Sequence, residues 1–159
     1  LEFRRVLFRS TTPEVERTKG CMKAIGENPG VELVAEQWSE QWSQAEGLNI
    51  TQNLLQAHPD VKIIFAQADG LALGAAQAVK VSGAEGVIVG GFDGDTTALP
   101  ILAEGGFAAT ATQQVRGIGR LAVDSAIKLA AGETLPAEQL LPGFLTTPEN
   151  AAQYVAEHP

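Results

Sequence analysis

The amino-acid sequence predicts an α/β fold with a parallel doubly wound sheet and helices on both faces. Short and nearly continuous apolar runs, such as VKIIFAQ at 61–67 and GVIVGGF at 86–92, are typical of strands that are buried on both sides. Segments with helical periodicity lie between these runs and begin or end at recognisable capping or breaking residues. Regular alternation of strands and helices favours a parallel sheet over an all-β or an all-helical fold.

The order of the predicted elements follows from these local signals. The predicted strands are 31–37, 61–67, 86–92, 107–112 and 140–146. The predicted helices are 14–27, 45–57, 70–81, 97–104, 115–131 and 148–155. Thr12 and Pro13 are expected to start the first helix, because a hydroxyl N-cap followed by proline is a common helix start. Asp69 and Thr96 are the predicted N-caps of the third and fourth helices.

The composition argues against several classes of function. The 159 residues have a formal net charge of −8, and such an acidic chain repels the phosphates of nucleic acid. No apolar stretch approaches the roughly 18–20 residues of a membrane span, so no direct membrane insertion is expected. Cys21 is the only cysteine, and His58 and His158 are the only histidines. We therefore expect no metal site, no cofactor and no catalytic triad, and the chain is not predicted to be an enzyme.

The first ten residues, LEFRRVLFRS, differ from the acidic remainder because they contain three arginines and one glutamate. They lack the apolar core and the small-residue cleavage site of a signal peptide. One choice of codons for this decapeptide resembles a short sequencing adapter read in frame. We therefore interpret residues 1–10 as a non-native leader and the chain as a fragment of a longer protein.

The stretch VGGFDGD at 89–95 is the most distinctive motif. Asp93 directly follows an apolar strand, and the carboxyl edge of the strands is where open α/β folds bind ligands. Its two carboxylate oxygens can accept two hydrogen bonds, which matches the paired hydroxyls of a sugar. The alternative is that Asp93 only tightens the turn between strand and helix.

Two tryptophans, Trp38 and Trp42, flank a short polar loop. An exposed aromatic ring after a strand can stack on the apolar face of a pyranose or furanose, and at most one of the two is expected to meet a ligand. Alternatively, both rings pack against the next helix.

Three segments of the chain resemble the second lobe of periplasmic sugar-binding proteins of the ribose-binding type. They are LNITQNLLQAHPDVKIIFAQADGLALGA at 48–75, VGGFDG at 89–94, and ATATQ at 109–113 followed by GIG at 117–119. The resemblance covers about residues 14–150. It implies the periplasmic binding protein-like I fold, with two α/β lobes that close on a monosaccharide in the periplasm. It also implies delivery of the sugar to the transmembrane subunits of an ABC permease or to a chemoreceptor.

The resemblance also implies the ligand-binding residues. Arg17 in RTKG matches the sugar-binding arginine of the family's RxxG motif, and Trp42 lies where the family stacks an aromatic ring. Asp93 matches the carboxylate that accepts two hydroxyl hydrogen bonds, and Gln113 matches an amide on the hinge side. One position departs from the family: Ala68 replaces an asparagine that binds sugar hydroxyls, so ribose itself is doubtful and another pentose, hexose, polyol or cyclitol fits better.

The resemblance further predicts how the chain is divided. Residues 11–114 are expected to form a partial second lobe, and 115–159 a crossover helix, a strand and a tail that normally pack on a first lobe. A central strand before residue 11 is expected to be missing, which would leave strands 31–37 and 61–67 without the neighbour between them. The apolar face of the helix at 115–131 is then expected to be uncovered.

A second candidate class is the effector domain of a LacI-type repressor, which shares this fold. Repressors usually continue from the Gly-Phe-Asp motif through a proline-containing loop to Thr-Thr-Val, whereas this chain continues with GGFAATATQQ at 105–114 and LLPGFLTTPEN at 140–150. Both segments favour transport.

Overall fold

The computed structural model describes residues 2–8 and 12–157 of the chain. The strands are β1 (Glu2–Phe8), β2 (Glu32–Ser39), β3 (Ile63–Ala66), β4 (Ile88–Asp93), β5 (Ala109–Thr112) and β6 (Phe144–Thr146). The helices are α1 (Thr12–Gly26), α2 (Gln44–Ala57), α3 (Asp69–Ser82), α4 (Leu99–Ala103), α5 (Val115–Ala130) and α6 (Ala151–Glu157). The predicted alternation of strands and helices is confirmed.

One sheet of six strands forms the centre of the structure, in the order β2-β1-β3-β4-β5-β6. The first five strands pair in parallel, and only β6 runs antiparallel, beside β5. Parallel strands end at one common edge, so the loops that follow β2, β3, β4 and β5 meet there. This is the edge at which an open α/β sheet binds ligands.

The central strand position is occupied, and the expectation that β2 and β3 lack a neighbour between them is wrong. Glu2–Phe8 forms β1 and pairs in parallel with both strands. Two strand edges with unpaired N–H and C=O groups favour any extended segment that can pair with them, and Val, Leu and Phe are strand-forming residues. Residue 1, at the start of the predicted leader, and residues 9–11, around its predicted end, lie outside the described residues, and the non-native origin of residues 1–10 stays a prediction.

The hydrophobic core lies between one face of the sheet and the layer of α2, α3 and α4. Its fully buried members include Val61, Ile64, Leu71, Leu99 and Leu102. The glycines of α2 and α3 let these two helices approach closely, because a Cβ on Gly74 would lie 2.1 Å from the carbonyl oxygen of Gln44. Helix α1 lies on the opposite face of the sheet and leaves much of that face open, since Ile88 of β4 is 54% exposed.

A groove of about 680 Å³ lies between α1 and the apolar side chains of β3, β4 and β5. On β4 the lining residues Ile88 and Phe92 alternate with the core residue Val89, as expected for the second face of a sheet. Ile63, Phe65, Ile88 and Phe92 are among its walls.

Three predicted helix starts are wrong. The N-cap of α3 is Ala68, and Asp69 makes no capping hydrogen bond. The fourth helix begins after Ala98 rather than after Thr96. It begins later because the carboxylate of Asp95 accepts hydrogen bonds from the backbone N–H and the hydroxyl of Thr97, which shape a turn first. The last helix begins at Ala151 rather than Pro148.

Within residues 2–8 and 12–157, no helix is long and apolar enough to cross a membrane.

Candidate functional site

Three of the four predicted ligand-binding residues meet at a single oxygen atom. Asp93 is the last residue of β4, Arg17 lies on α1, and Gln113 follows β5. The Arg17 Nη2 donates to Asp93 Oδ1 at 2.9 Å, and the Gln113 Nε2 donates to the same oxygen at 2.7 Å. Residues that are 76 and 20 positions apart in the chain thus form one cluster at the carboxyl edge of the sheet.

The two oxygens of the Asp93 carboxylate differ in their contacts, because both hydrogen bonds described above go to Oδ1. Within residues 12–154, no group donates a hydrogen bond to Asp93 Oδ2, and the side chain of Asp93 is 33% exposed. A carboxylate has about four lone-pair sites, and two donors use only part of this capacity. Asp93 is therefore oriented by its neighbours and still able to accept hydrogen bonds from a ligand.

Arg17 is held on several sides. Its Nη1 donates to the carbonyl oxygen of Gln67 at 2.5 Å, and its side chain is only 12% exposed. The guanidinium carbon lies 4.0 Å from the ring centroid of Phe92 and 5.4 Å from that of Trp42, so the guanidinium is close to two aromatic rings. A guanidinium has five N–H donors, and two of them make these hydrogen bonds to Gln67 and Asp93.

The backbone of Asp93 has an unusual conformation. Its φ is +124°, a region that non-glycine residues rarely adopt. The N–H of Gln113 donates to the carbonyl oxygen of Asp93 at 2.9 Å, so Gln113 binds both the backbone and the side chain of this residue. Strained residues cluster at functional sites, where the surroundings hold them in place.

Burial raises the pKa of the Asp93 carboxyl, although the nearby Arg17 guanidinium and the hydrogen bonds from Gln113 and Arg17 act in the opposite direction. The negative charge of Asp95 adds to the increase.

Trp42 lies beside this cluster, at the end of a loop that is fixed by hydrogen bonds. The carboxylate of Glu46 accepts from the Ser39 hydroxyl at 2.6 Å and from the backbone N–H groups of Glu40 and Gln41 at 3.0 and 2.8 Å. The Trp42 N–H in turn donates to the Ser39 hydroxyl at 3.1 Å. Trp42 is partly buried against the core, whereas Trp38 is 44% exposed and does not join the cluster.

The hydrogen bonds to Glu46 favour its ionised form. Burial raises its pKa, but the hydrogen bonds from Ser39, Glu40, Gln41 and Ser43 outweigh this effect, and the pKa of Glu46 is lowered. Charge-assisted hydrogen bonds are the strong ones, so the loop that presents Trp42 is anchored to α2.

Asp69 was missed as a site residue, because its position suggested a helix cap. Its carboxylate is fully buried and accepts hydrogen bonds from three groups outside α3. The N–H groups of Gly94 and Asp95 donate to Oδ2 at 2.8 Å each, and the Thr110 hydroxyl donates to Oδ1 at 2.6 Å. These donors are 25, 26 and 41 residues away in sequence, so no local pattern indicates them.

Ala68 lies at the same edge of the sheet, next to Asp69, and is 5% exposed. Its methyl group has no hydrogen-bonding capacity, so this position supplies no polar contact to a ligand. Gln67 before it is fully buried, and its Nε2 donates to the Thr18 hydroxyl at 3.0 Å, which connects the end of β3 to α1.

The cluster is suited to a neutral, hydroxyl-rich ligand. It combines a carboxylate acceptor, a guanidinium donor, an amide and an aromatic ring, which are the types that bind polyols. Within the described part of the chain, no group of three or more His, Cys, Asp or Glu residues is arranged to hold a metal ion. The groove between α1 and the sheet contacts Arg17 and Phe92 but is otherwise mostly apolar, so it does not match such a ligand.

An open α/β sheet with fixed polar side chains at its carboxyl edge is typical of domains that bind small molecules at that edge. The sequence identifies the family within this class. The model of the periplasmic binding protein domain matches residues 9–134, and the chain belongs to this family.

Individual relatives are import binding proteins. The ribose import binding protein of Escherichia coli strain K12 is 38% identical over 128 residues, which cover 80% of this chain and 43% of that protein. The D-apiose import binding protein of Actinobacillus succinogenes is 39% identical over 145 residues, which cover 89% of this chain and 46% of that protein. The chain thus spans less than half the length of these relatives.

Solved structures agree on the fold. An ABC transporter periplasmic solute binding protein from Actinobacillus succinogenes with bound D-allose has a TM-score of 0.89 and 28% identity, over 96% of this chain and 55% of that one. A solute binding protein from Bacillus halodurans with bound myo-inositol has a TM-score of 0.89 and 29% identity, over 99% of this chain and 55% of that one. The periplasmic binding protein fold predicted from the sequence is confirmed.

Proposed function

We propose that the chain is part of the substrate-binding component of an ABC-type sugar importer, which binds a monosaccharide or polyol in a cleft between two lobes. The observation that supports this most strongly is the convergence of Arg17 and Gln113 on one oxygen of Asp93, with the other oxygen left for a ligand. The relatives named above are import binding proteins for ribose and D-apiose, and the related structures hold D-allose and myo-inositol.

Each site residue has a distinct role in this proposal. Asp93 accepts hydrogen bonds from two sugar hydroxyls, and Gln113 fixes its orientation and contributes an amide on the hinge side. Arg17 donates to ligand oxygens with the N–H groups that Gln67 and Asp93 do not use. Trp42 offers an aromatic face for the ring carbons of the sugar. No step requires a cofactor, and the protein acts by binding rather than by catalysis.

The ligand is proposed to be a sugar other than ribose, or a cyclitol. Ala68 offers no hydrogen bond where the ribose-binding type has asparagine, and a ligand hydroxyl left unpaired in a dry cleft costs about 1–3 kcal/mol. A ligand that places a C–H group or no hydroxyl against Ala68 avoids this penalty.

The proposed location of the whole protein is the periplasm, where it delivers its ligand to the transmembrane subunits of an ABC permease. A chemoreceptor is a second proposed partner. The relatives favour this transport role over a LacI-type repressor, because those named above are import binding proteins.

Isothermal titration of the full-length protein that contains this chain tests the proposal. Pentoses, hexoses, polyols and cyclitols form the ligand panel, and we expect one of them to bind with micromolar affinity or better while ribose binds more weakly. The 159-residue chain is the matched control, and it should bind none measurably because it spans less than half the length of the relatives and the proposed cleft needs two lobes. A full-length protein that binds no member of the panel contradicts the proposal, as does a DNA-binding headpiece upstream of residue 11.

A further inference from the structure

The buried carboxylate of Asp69 lies behind the ligand-binding edge and connects three elements. It belongs to the first turn of α3 but binds the turn after β4 through Gly94 and Asp95, and β5 through Thr110. Burying a carboxylate is costly unless it is hydrogen-bonded. This carboxylate therefore needs its three donors, and its position in turn restricts where they lie.

The turn that Asp69 binds starts at the residue after Asp93. A φ of +124° at Asp93 persists only if the residues on either side are held in place. Gln113 holds Asp93 itself, and Asp69 holds the next two residues through their N–H groups. The direction in which the Asp93 carboxylate points thus depends on Asp69.

The glycines of the GGFDG segment make room for this arrangement. A Cβ on Gly91 would lie 2.4 Å from Asp69 Oδ1, which no side chain permits without displacing the carboxylate. Gly94 has a φ of +73°, and a Cβ there would lie 2.3 Å from the Thr112 methyl group. The two glycines thus allow close approach of the turn and the Asp69 carboxylate.

We propose that Asp69 is a positioning residue for ligand binding: its ionised carboxylate fixes the Gly94–Asp95 turn and thereby the orientation of Asp93. Ligand affinity accordingly falls when Asp69 takes up a proton. This inference rests on the proposed function, in which Asp93 binds the sugar.

The electrostatics make such protonation accessible in mildly acidic solution. Burial raises the pKa of Asp69 to about 6, against the hydrogen bonds from Thr110, Asp95 and Gly94, and the charge of Asp93 adds to the increase. The charged groups that face Asp69 are Asp93 at the end of β4, which Arg17 of α1 pairs with, and Asp95 in the turn. Above pH 6 the N–H groups of Gly94 and Asp95 bind an anion. Below it they bind a neutral acid and are held less firmly.

Two isosteric substitutions on β5 distinguish the titration of Asp69 from that of the nearby Asp93. Thr110→Val removes a donor to the Asp69 carboxylate, which disfavours its ionised form. Thr112→Val is the matched control, because Thr112 is equally buried two residues further along β5 but bonds to Thr146 instead.

The Gly94 amide reports the state of Asp69 directly. In the full-length protein that contains this chain, labelled with ¹⁵N-glycine, we expect its chemical shift to titrate with a midpoint near pH 6. Thr110→Val should move the midpoint to higher pH, and Thr112→Val should leave it in place. A Gly94 shift that stays constant between pH 4.5 and 8, or equal displacement in both variants, overturns the inference.

Ligand titrations of the same protein measure the consequence. The best ligand of the sugar panel should bind about tenfold more weakly at pH 5 than at pH 7.5, since charge-assisted hydrogen bonds are about twice as strong as neutral ones. Thr110→Val should displace this profile to higher pH, and Asp69→Asn should bind weakly with a flat profile. If all variants bind sugar with the same pH dependence of affinity, the inference about Asp69 is overturned but the proposed function is not. Absence of sugar binding by the unaltered protein at every pH overturns the proposed function and, with it, this inference.

Discussion

The carboxyl edge of the sheet and the helix α5 follow one another in the chain but differ in their contacts. The polar side chains of the edge are hydrogen-bonded, and the apolar side chains of α5 are exposed. At the edge, Asp69, Asp93 and Gln113 are held by hydrogen bonds within the chain. Along α5 no residue is buried, and Val115, Ile118, Val123, Ile127 and Leu129 are between 47% and 63% exposed. The predicted exposure of this helix face is confirmed. The candidate site is therefore held together by contacts within the described residues, whereas the apolar side chains of α5 are largely exposed.

The largest effect is expected from removing the strand in the centre of the sheet that carries the candidate site. Deletion of residues 2–8 takes away β1, which pairs with both β2 and β3, and exposes two strand edges in the centre of the sheet. We expect the cooperative unfolding transition to be lost, as measured by circular dichroism in a urea titration. A deletion variant that unfolds with an unchanged midpoint would show that β1 contributes nothing to the sheet.

The buried carboxylate of Asp69 makes the stability of the fold depend on pH. The pKa of Asp69 is raised in the folded state from its ordinary value of 3.8 to about 6. Its stabilising contribution is therefore present below pH 3.8 and is lost as the pH rises through 6. Since each unit of pKa shift corresponds to about 1.36 kcal/mol, ionisation of Asp69 costs about 3 kcal/mol by pH 7. The ionised Asp69 therefore lowers the free energy of unfolding at neutral pH. The same charge binds the turn beside Asp93.

Urea unfolding at pH 4 and pH 7 tests this cost. Asp69→Asn carries no titratable group, so its free energy of unfolding should rise relative to that of the unaltered chain between the two pH values. The exposed Asp60→Asn provides the control and should follow the unaltered chain. Parallel behaviour of all three proteins would contradict a raised pKa at Asp69.

The smallest effect on stability is expected at α5. Replacing Ile118, Val123 and Ile127 by glutamine changes only exposed positions, so the free energy of unfolding should change by less than about 0.5 kcal/mol for each substitution.

The exposed apolar face promotes self-association, and the triple variant should remain monomeric at higher concentration in sedimentation experiments. A strong loss of stability would mean that this face packs within the chain.

The fold could be predicted because its signals are local. Apolar runs and helix periodicity placed β3, β4, α2 and α5 within a few residues of their observed bounds. The strand β1 could not be predicted because the charge of LEFRRVLFRS and its likeness to an adapter indicate a leader, whereas strand pairing depends on extended backbone and the open edges beside it.

The site was only partly predictable for the same reason. The resemblance to sugar-binding proteins indicated Arg17, Asp93 and Gln113, and these residues do meet. Asp69 has the residue type and position of a helix cap, and its true partners lie on β5 and in the turn after β4. The glycines at positions 91 and 94 of GGFDG are the sequence signal that another group approaches that turn.

The central claim is that Asp93 binds the ligand, and substitution in the full-length protein measures this most directly. Asp93→Ala should weaken the best ligand of the sugar panel by at least ~2 kcal/mol in isothermal titration, because sugar hydroxyls are then left unpaired in a dry cleft. Asp60→Ala, at an exposed position away from the cluster, should bind like the unaltered protein. An unchanged affinity in Asp93→Ala would remove this residue from the site and contradict the account.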